Sequence, residues 1–142
     1  MDNGRGSGTR NLAQVRRVLI VDDNHDSAEL LSLLLTREGH ETRVAHDASE
    51  AIPLACAFRP NIALLDIGLP GMNGVELMRV LRGSPELTEC AFVAVSGYEE
   101  LVTDASAPAF DAHLVKPVDL SAVVKLVLEY GCADLARSSA NG

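Results

Sequence analysis

Basic charge is scarce in this 142-residue sequence: 12 lysines and arginines stand against 20 aspartates and glutamates, a formal net charge of −8. That balance leaves no room for the broad basic face that grips a phosphate backbone, so autonomous nucleic-acid binding is not expected. It suits a protein that gathers carboxylates around a cation or meets basic partners. Paired cysteines are also lacking. Cys56, Cys90 and Cys132 are far apart and form no C-x-x-C unit, so they are expected to be small buried residues in a reducing compartment. No apolar run approaches the length of a membrane span; Leu30 to Leu35, among the longest, contains Ser32. The segment Met1 to Arg17 carries Arg5, Arg10, Arg16 and Arg17 but no apolar h-region, so it is not a secretory signal. A soluble, cytoplasmic protein with no membrane association is the expectation. Hydrophobic residues make up 47% and charged residues 23%, which is too apolar for general disorder and enough for one cored domain.

The apolar pattern alternates between two periods. Val18 to Val21 is a short continuous apolar run, as expected of a strand covered on both faces. Ala28, Leu30, Leu31, Leu34 and Leu35 then follow helical spacing, with Gly39 as a stop. Thr42 to Ala45 is a weaker strand, and Asp47 with Glu50 three residues on opens a helix to about Phe58. Ile62 to Leu65 is a third strand. Asn73 caps a third helix through Leu77, Val80 and Leu81, and Ala91 to Val95 is a fourth strand. A short helix is expected from Tyr98 to about Ala107, ended by Pro108. His113 to Val115 is a fifth strand, and Asp119 caps a last helix with Val123, Val124, Leu126, Val127 and Leu128 on it. Strands alternating with helices predict an α/β fold: a five-stranded parallel sheet, doubly wound. Residues 1–15 and 133–142 read as flexible tails around one domain at 16–132.

Parallel α/β sheets place their sites beyond the carboxyl ends of the strands. Asp22 and Asp23 follow the first strand, Asp66 the third, Ser96 the fourth and Lys116 the fifth. Three carboxylates, a hydroxyl and an ammonium therefore converge on one edge. Three such carboxylates repel one another unless a cation is present, and Mg²⁺ suits a small oxygen set that leaves room for water and phosphate oxygens. A site neutralised in this way accepts a phosphoryl group, with Lys116 supplying charge, Ser96 a donor and Asp66 the nucleophile. Plainer roles compete for each residue. Asp22 could cap the first helix, Ser96 could be a turn residue, and Lys116 a solvated surface lysine. His25, His40 and His46 lack ligand spacing and read as surface residues.

The strings Leu19-Ile20-Val21-Asp22-Asp23, Asp66-Ile67-Gly68-Leu69-Pro70-Gly71-Met72-Asn73-Gly74, Val95-Ser96-Gly97 and Leu114-Val115-Lys116-Pro117 resemble, in order, the four motifs of response regulator receiver domains, the chemotaxis-regulator-like phosphoacceptors of two-component signalling. The resemblance covers roughly Val18 to Tyr130 and implies a flavodoxin-like (βα)5 fold. It also implies that Asp23 and Asp66 bind Mg²⁺ directly, that Asp22 acts largely through water, and that the Gly68 carbonyl is a further ligand. Asp66 would become an acyl phosphate, Ser96 would bond a phosphoryl oxygen, Lys116 would pair with the phosphoryl group, and Pro117 would follow a cis peptide bond. The implied donor is a histidine kinase or a histidine phosphotransfer protein, and the chain would be a phosphoacceptor that assists its own phosphorylation and slow dephosphorylation rather than an enzyme. With too few residues after Tyr130 for an output domain, it would act by binding a protein partner, or be a piece of a hybrid kinase.

The sequence departs from that family at His113, where receivers usually carry a Tyr or Phe that swings inward with the hydroxyl residue; a histidine there would be pH-sensitive. Gly68 and Tyr98 would flank the phosphoryl group. Two rivals stand beside the receiver reading. A pseudo-receiver would keep the fold as a binding module without phosphorylation. An aspartyl-phosphate phosphohydrolase of the haloacid dehalogenase type would place a proton-donating Asp where this chain has Gly68.

Overall fold

Every residue of the run Val18-Leu19-Ile20-Val21 is buried, because this strand has helices on both of its faces. A computed structural model describes residues 15–97 and 110–141. Strand β1 (Arg17–Val21) leads to helix α1 (His25–Arg37), β2 (Glu41–Ala45) to α2 (Ala48–Phe58), and β3 (Ile62–Asp66) to α3 (Gly74–Arg82). A 3-10 turn at Pro85–Leu87 precedes β4 (Ala91–Ser96), and β5 (Ala112–Val115) leads to α4 (Leu120–Asn141). All strand pairings are parallel, in the order β2-β1-β3-β4-β5. The expected doubly wound α/β sheet is what the chain forms.

Strand alternation sends successive side chains to opposite faces. Leu19 and Val21 join Ala51 and Ala55 of α2 and Val75, Met78 and Leu81 of α3 in one core. Val18 and Ile20 join Ala28, Leu31 and Leu35 of α1 with Val123 and Val127 of α4 in the other. The helix ends follow local chemistry. Asn24 caps α1 by accepting from the Ser27 N–H at 3.0 Å, and Gly39 ends it at φ 98, a conformation glycine adopts without strain. Asn73 and Glu76 form a reciprocal capping box at the start of α3. At α2 the Asp47 carboxylate accepts from the Glu50 N–H, but Glu50 reaches back to the N–H of His46 rather than to the cap itself.

Some expectations change. Helix α4 continues to Asn141, through most of the segment expected to be a C-terminal tail; Ala133, Leu135, Ala136 and Arg137 are good helix formers and no glycine or proline interrupts them. His40 is buried, not on the surface, and its Nδ1 accepts the Arg16 N–H at 3.0 Å. Cys56 and Cys90 are only half-buried. The helix expected at Tyr98 to Ala107 and the tail at 1–14 lie outside the described residues. Among the described residues no helix is long and apolar enough to cross a membrane.

Candidate functional site

The strand order reverses direction between β1 and β3, since the chain moves from β1 outward to β2 and then returns past β1 to β3. A crevice at the carboxyl edge follows from that reversal. Asp66 is the last residue of β3, whose five positions are all buried. Asp22 leaves β1 with its backbone N–H still bonded to the Ala45 carbonyl at 3.0 Å, so the loop carrying Asp22 and Asp23 stays registered to β2. Carboxylate oxygens of Asp22, Asp23 and Asp66 lie within 4.8 Å of one another. Asp22 and Asp66 are buried and Asp23 is exposed.

Lys116 reaches this cluster from the end of β5, with its Nζ 3.1 Å from Asp66 Oδ2. The Lys116–Pro117 peptide is cis, and the Lys116 N–H donates to the Ser96 carbonyl at 2.8 Å. The other Asp66 oxygen, Oδ1, accepts the Gly68 N–H at 2.9 Å. Asp22 Oδ1 accepts the Asn24 N–H at 2.9 Å. Because Asn24 caps α1, Asp22 is left to the cluster and its capping role falls away. Ser96 is fully buried, and its Oγ has no hydrogen-bond partner among the described residues. An unsatisfied buried hydroxyl costs about 1–3 kcal/mol, and a ligand oxygen that accepts its proton would relieve that cost.

The electrostatics of the cluster are unbalanced. Two carboxylates less than 5 Å apart repel by roughly 3–4 kcal/mol at an effective dielectric near 20, and a single lysine neutralises only one of three. Burial pushes the Asp22 carboxyl above its ordinary range, the Asn24 N–H and Lys116 oppose this, and the charge of Asp66 adds to it. Burial alone would lower Lys116, but its hydrogen bond to Asp66 and the charges of Asp66, Asp22 and Asp23 hold it above the ordinary lysine value. The lysine is therefore fully charged at neutral pH, and excess negative charge remains. Three hard oxygen donors around an uncompensated charge fit a divalent cation that prefers oxygen, such as Mg²⁺.

The structure brings together Asp22, Asp23, Asp66 and Lys116, with Ser96 at the same edge. Gly68 is exposed beside Asp66, while Tyr98 lies outside the described residues. His113 stands apart: it is exposed on β5, opposite Ala94, with its ring edge-on to buried Phe110 at 6.2 Å. Two residues escaped sequence reasoning. Gly74 begins α3 against the Asp66 backbone, where a Cβ would stand 2.5 Å from the Asp66 carbonyl oxygen; only its place beside a capping Asn hinted at this. His46 donates from Nδ1 to the Asp22 carbonyl at 3.0 Å, a contact with no sequence signal.

A doubly wound parallel sheet with three clustered carboxylates and a lysine at its switch point defines a class of acidic-pocket α/β domains. The family model for the response regulator receiver domain matches residues 18–128, and the chain belongs to that family. It is 36% identical over 102 residues to the DNA-binding response regulator MtrA of Mycolicibacterium smegmatis, covering 72% of this chain but 44% of the relative. The chain thus spans less than half the length of that relative. A receiver domain from Methanospirillum hungatei superposes with a TM-score of 0.79 at 27% identity, covering 87% of this chain and 98% of the other. TrrA from Thermotoga maritima, solved in complex with Mg²⁺ and BeF, superposes with a TM-score of 0.73 at 27% identity, covering 82% and 99%.

Proposed function

We propose that this chain is a phosphoacceptor of two-component signalling, in which Asp66 takes a phosphoryl group from the phosphohistidine of a histidine kinase or a histidine phosphotransfer protein. The observation that carries the reading is Lys116 Nζ held 3.1 Å from an oxygen of buried Asp66, at the mouth of a three-carboxylate cluster. Asp22, Asp23, Asp66 and the Gly68 carbonyl would hold Mg²⁺, whose chemistry is to neutralise the cluster and the incoming phosphoryl oxygens; the Mg²⁺ and BeF bound by TrrA support the choice of ion. One Asp66 oxygen attacks phosphorus, the P–N bond to the donor imidazole breaks, and its electron pair stays on the imidazole. Lys116 shifts its charge from the carboxylate to the phosphoryl oxygens, and the orphaned Ser96 hydroxyl donates to another. That donation draws Ser96 inward, and His113, on the strand paired with β4, relays the change to the surface.

Gly68 offers no side-chain proton two residues after Asp66, which disfavours a phosphohydrolase. Beside the site lies a surface on which the phosphodonor protein would dock. A cavity of about 220 Å³ opens between α1 and the start of α4, lined by Asp22, Leu30, Leu31, Lys116, Pro117 and Leu120, of which Leu30 is largely exposed.

Intact-mass analysis after incubation with MgCl2 and acetyl phosphate tests the proposal. Wild type gains one phosphoryl group, while Asp66→Ala and wild type in EDTA do not. An unmodified wild type favours a pseudo-receiver, and an equal adduct on Asp66→Ala removes Asp66 from the role.

Asp22 supplies a second prediction. Between the ordinary carboxylate value of 3.8 and the elevated folded one, the folded chain holds a proton that the unfolded chain has lost, so stability falls as pH rises through that window. Asp22→Asn removes this cost. In EDTA at neutral pH the variant melts above wild type and lacks the acid-side slope; with MgCl2 it binds the ion about tenfold more weakly. A variant that melts below wild type in EDTA contradicts the account.

A further inference from the structure

The β1–β2 ladder ends at the first residue of the acidic loop. Its last backbone bond joins the Asp22 N–H to the Ala45 carbonyl at 3.0 Å, after which the chain turns away at Asp47 to cap α2. No backbone donor from β2 then serves the Asp22 carbonyl. The His46 ring takes that place, with Nδ1 3.0 Å from the Asp22 oxygen. A carbonyl only accepts, so Nδ1 carries the proton. His46 is itself pinned, since its backbone N–H donates to Glu50 Oε1 at 2.7 Å. On its open side the ring lies flat against His25, with centroids 3.6 Å apart and planes 4° from parallel.

The carbonyl that His46 holds belongs to the peptide joining Asp22 to Asp23. Fixing that plane fixes the direction in which Asp23, the exposed member of the cluster, leaves the backbone. His25 follows Asp23 by two residues, so the stack closes the same loop from its far end. We infer that His46, buttressed by His25, is a positioning residue that sets the Asp22–Asp23 peptide for cation binding. The inference rests on the metal-dependent reading above and concerns geometry alone. Groups one shell out from a metal typically change its affinity by about 10–100-fold when removed.

Calorimetric titration of the whole chain with MgCl2 tests it, using His46→Phe and His46→Asn. Phenylalanine keeps a ring to stack on His25 but has no donor. Asparagine places an amide N–H near the position of Nδ1 without the ring. His46→Phe is expected to bind Mg²⁺ about tenfold more weakly, and His46→Asn within roughly threefold of wild type. At saturating Mg²⁺, acetyl phosphate labels His46→Phe at the wild-type rate, so the defect lies in the Mg²⁺ dependence alone. Circular dichroism confirms that each variant is folded; if His46→Phe is not, His46→Ala replaces it in the same contrast. Wild-type affinity in the donor-less variant overturns the inference, as does an equal loss in both variants, which would mark a packing role. If wild type itself neither binds Mg²⁺ nor is labelled, the failure belongs to the phosphoacceptor reading and not to His46.

Discussion

Lys116→Ala is expected to slow phosphorylation of Asp66 by roughly 10²–10³-fold, with the cation site still able to fill. Among the described residues Lys116 is the one cation within hydrogen-bond reach of Asp66, at 3.1 Å. Moving a phosphoryl group onto a carboxylate brings further negative charge to a buried oxygen, and a pre-placed ammonium stabilises it with little reorganisation. Removing Lys116 leaves the three carboxylates without their positive partner among the described residues, so Mg²⁺ affinity holds or tightens while the rate collapses. The same pair contributes modestly to folding. The lysine side chain is 38% exposed, and that exposure limits the contribution to about 1 kcal/mol. The contribution is complete below the ordinary lysine value of 10.5 and disappears as pH rises through the elevated folded value. Stopped reactions with acetyl phosphate over a range of MgCl2 separate the two effects. A variant labelled at the wild-type rate would remove Lys116 from the transfer step.

Gly74→Val is expected to have the largest structural effect. A Cβ at this position meets the Asp66 carbonyl oxygen at 2.5 Å, the Ile67 Cα at 2.7 Å and the Asp66 carbonyl carbon at 2.9 Å. All three are backbone atoms and cannot swing aside. Either α3 moves off the sheet or the Asp66–Ile67 peptide shifts, and both change the Asp66 carboxylate relative to Lys116. Overpacking of this kind costs about 1–3 kcal/mol, with Tm falling on the order of 4 °C per kcal/mol. Gly74→Ala gives a smaller loss in the same direction. Gly83→Ala is the control, because its added Cβ meets nothing closer than 3.6 Å and should leave both Tm and labelling near wild type. Equal behaviour of Gly74→Val and Gly83→Ala would show that the close approach is not required.

The fold was legible because its signals are local. Val18 to Val21 and Ile62 to Leu65 are apolar throughout, as buried parallel strands must be, and Asn73 with Glu76 marks a helix start by its own hydrogen-bonding chemistry. The acidic edge was legible because strand ends in such a sheet converge by topology, which delivers Asp22, Asp23, Asp66, Ser96 and Lys116 together. Other features depend on contacts between segments remote in sequence. Gly74 looks like a helix-capping glycine until α3 is laid against Asp66. His40 and His46 look like ordinary polar residues until the turn after α1 and the end of β2 show where their rings go. The extension of α4 to Asn141 was obscured by Ser138, Ser139, Asn141 and Gly142, whose loop-like character outweighed the alanines beside them.

Site-mapped mass spectrometry of the labelled protein addresses the central claim most directly. Wild type is treated with acetyl phosphate in MgCl2 or in EDTA, reduced with borodeuteride, which expels phosphate from any acyl phosphate and leaves that aspartate as a deuterium-labelled homoserine, and digested. Trapped label on Asp66 alone, and only with Mg²⁺, is the expected result. Label on Asp22 or on Asp23, or label on Asp66 that forms equally well in EDTA, would contradict it.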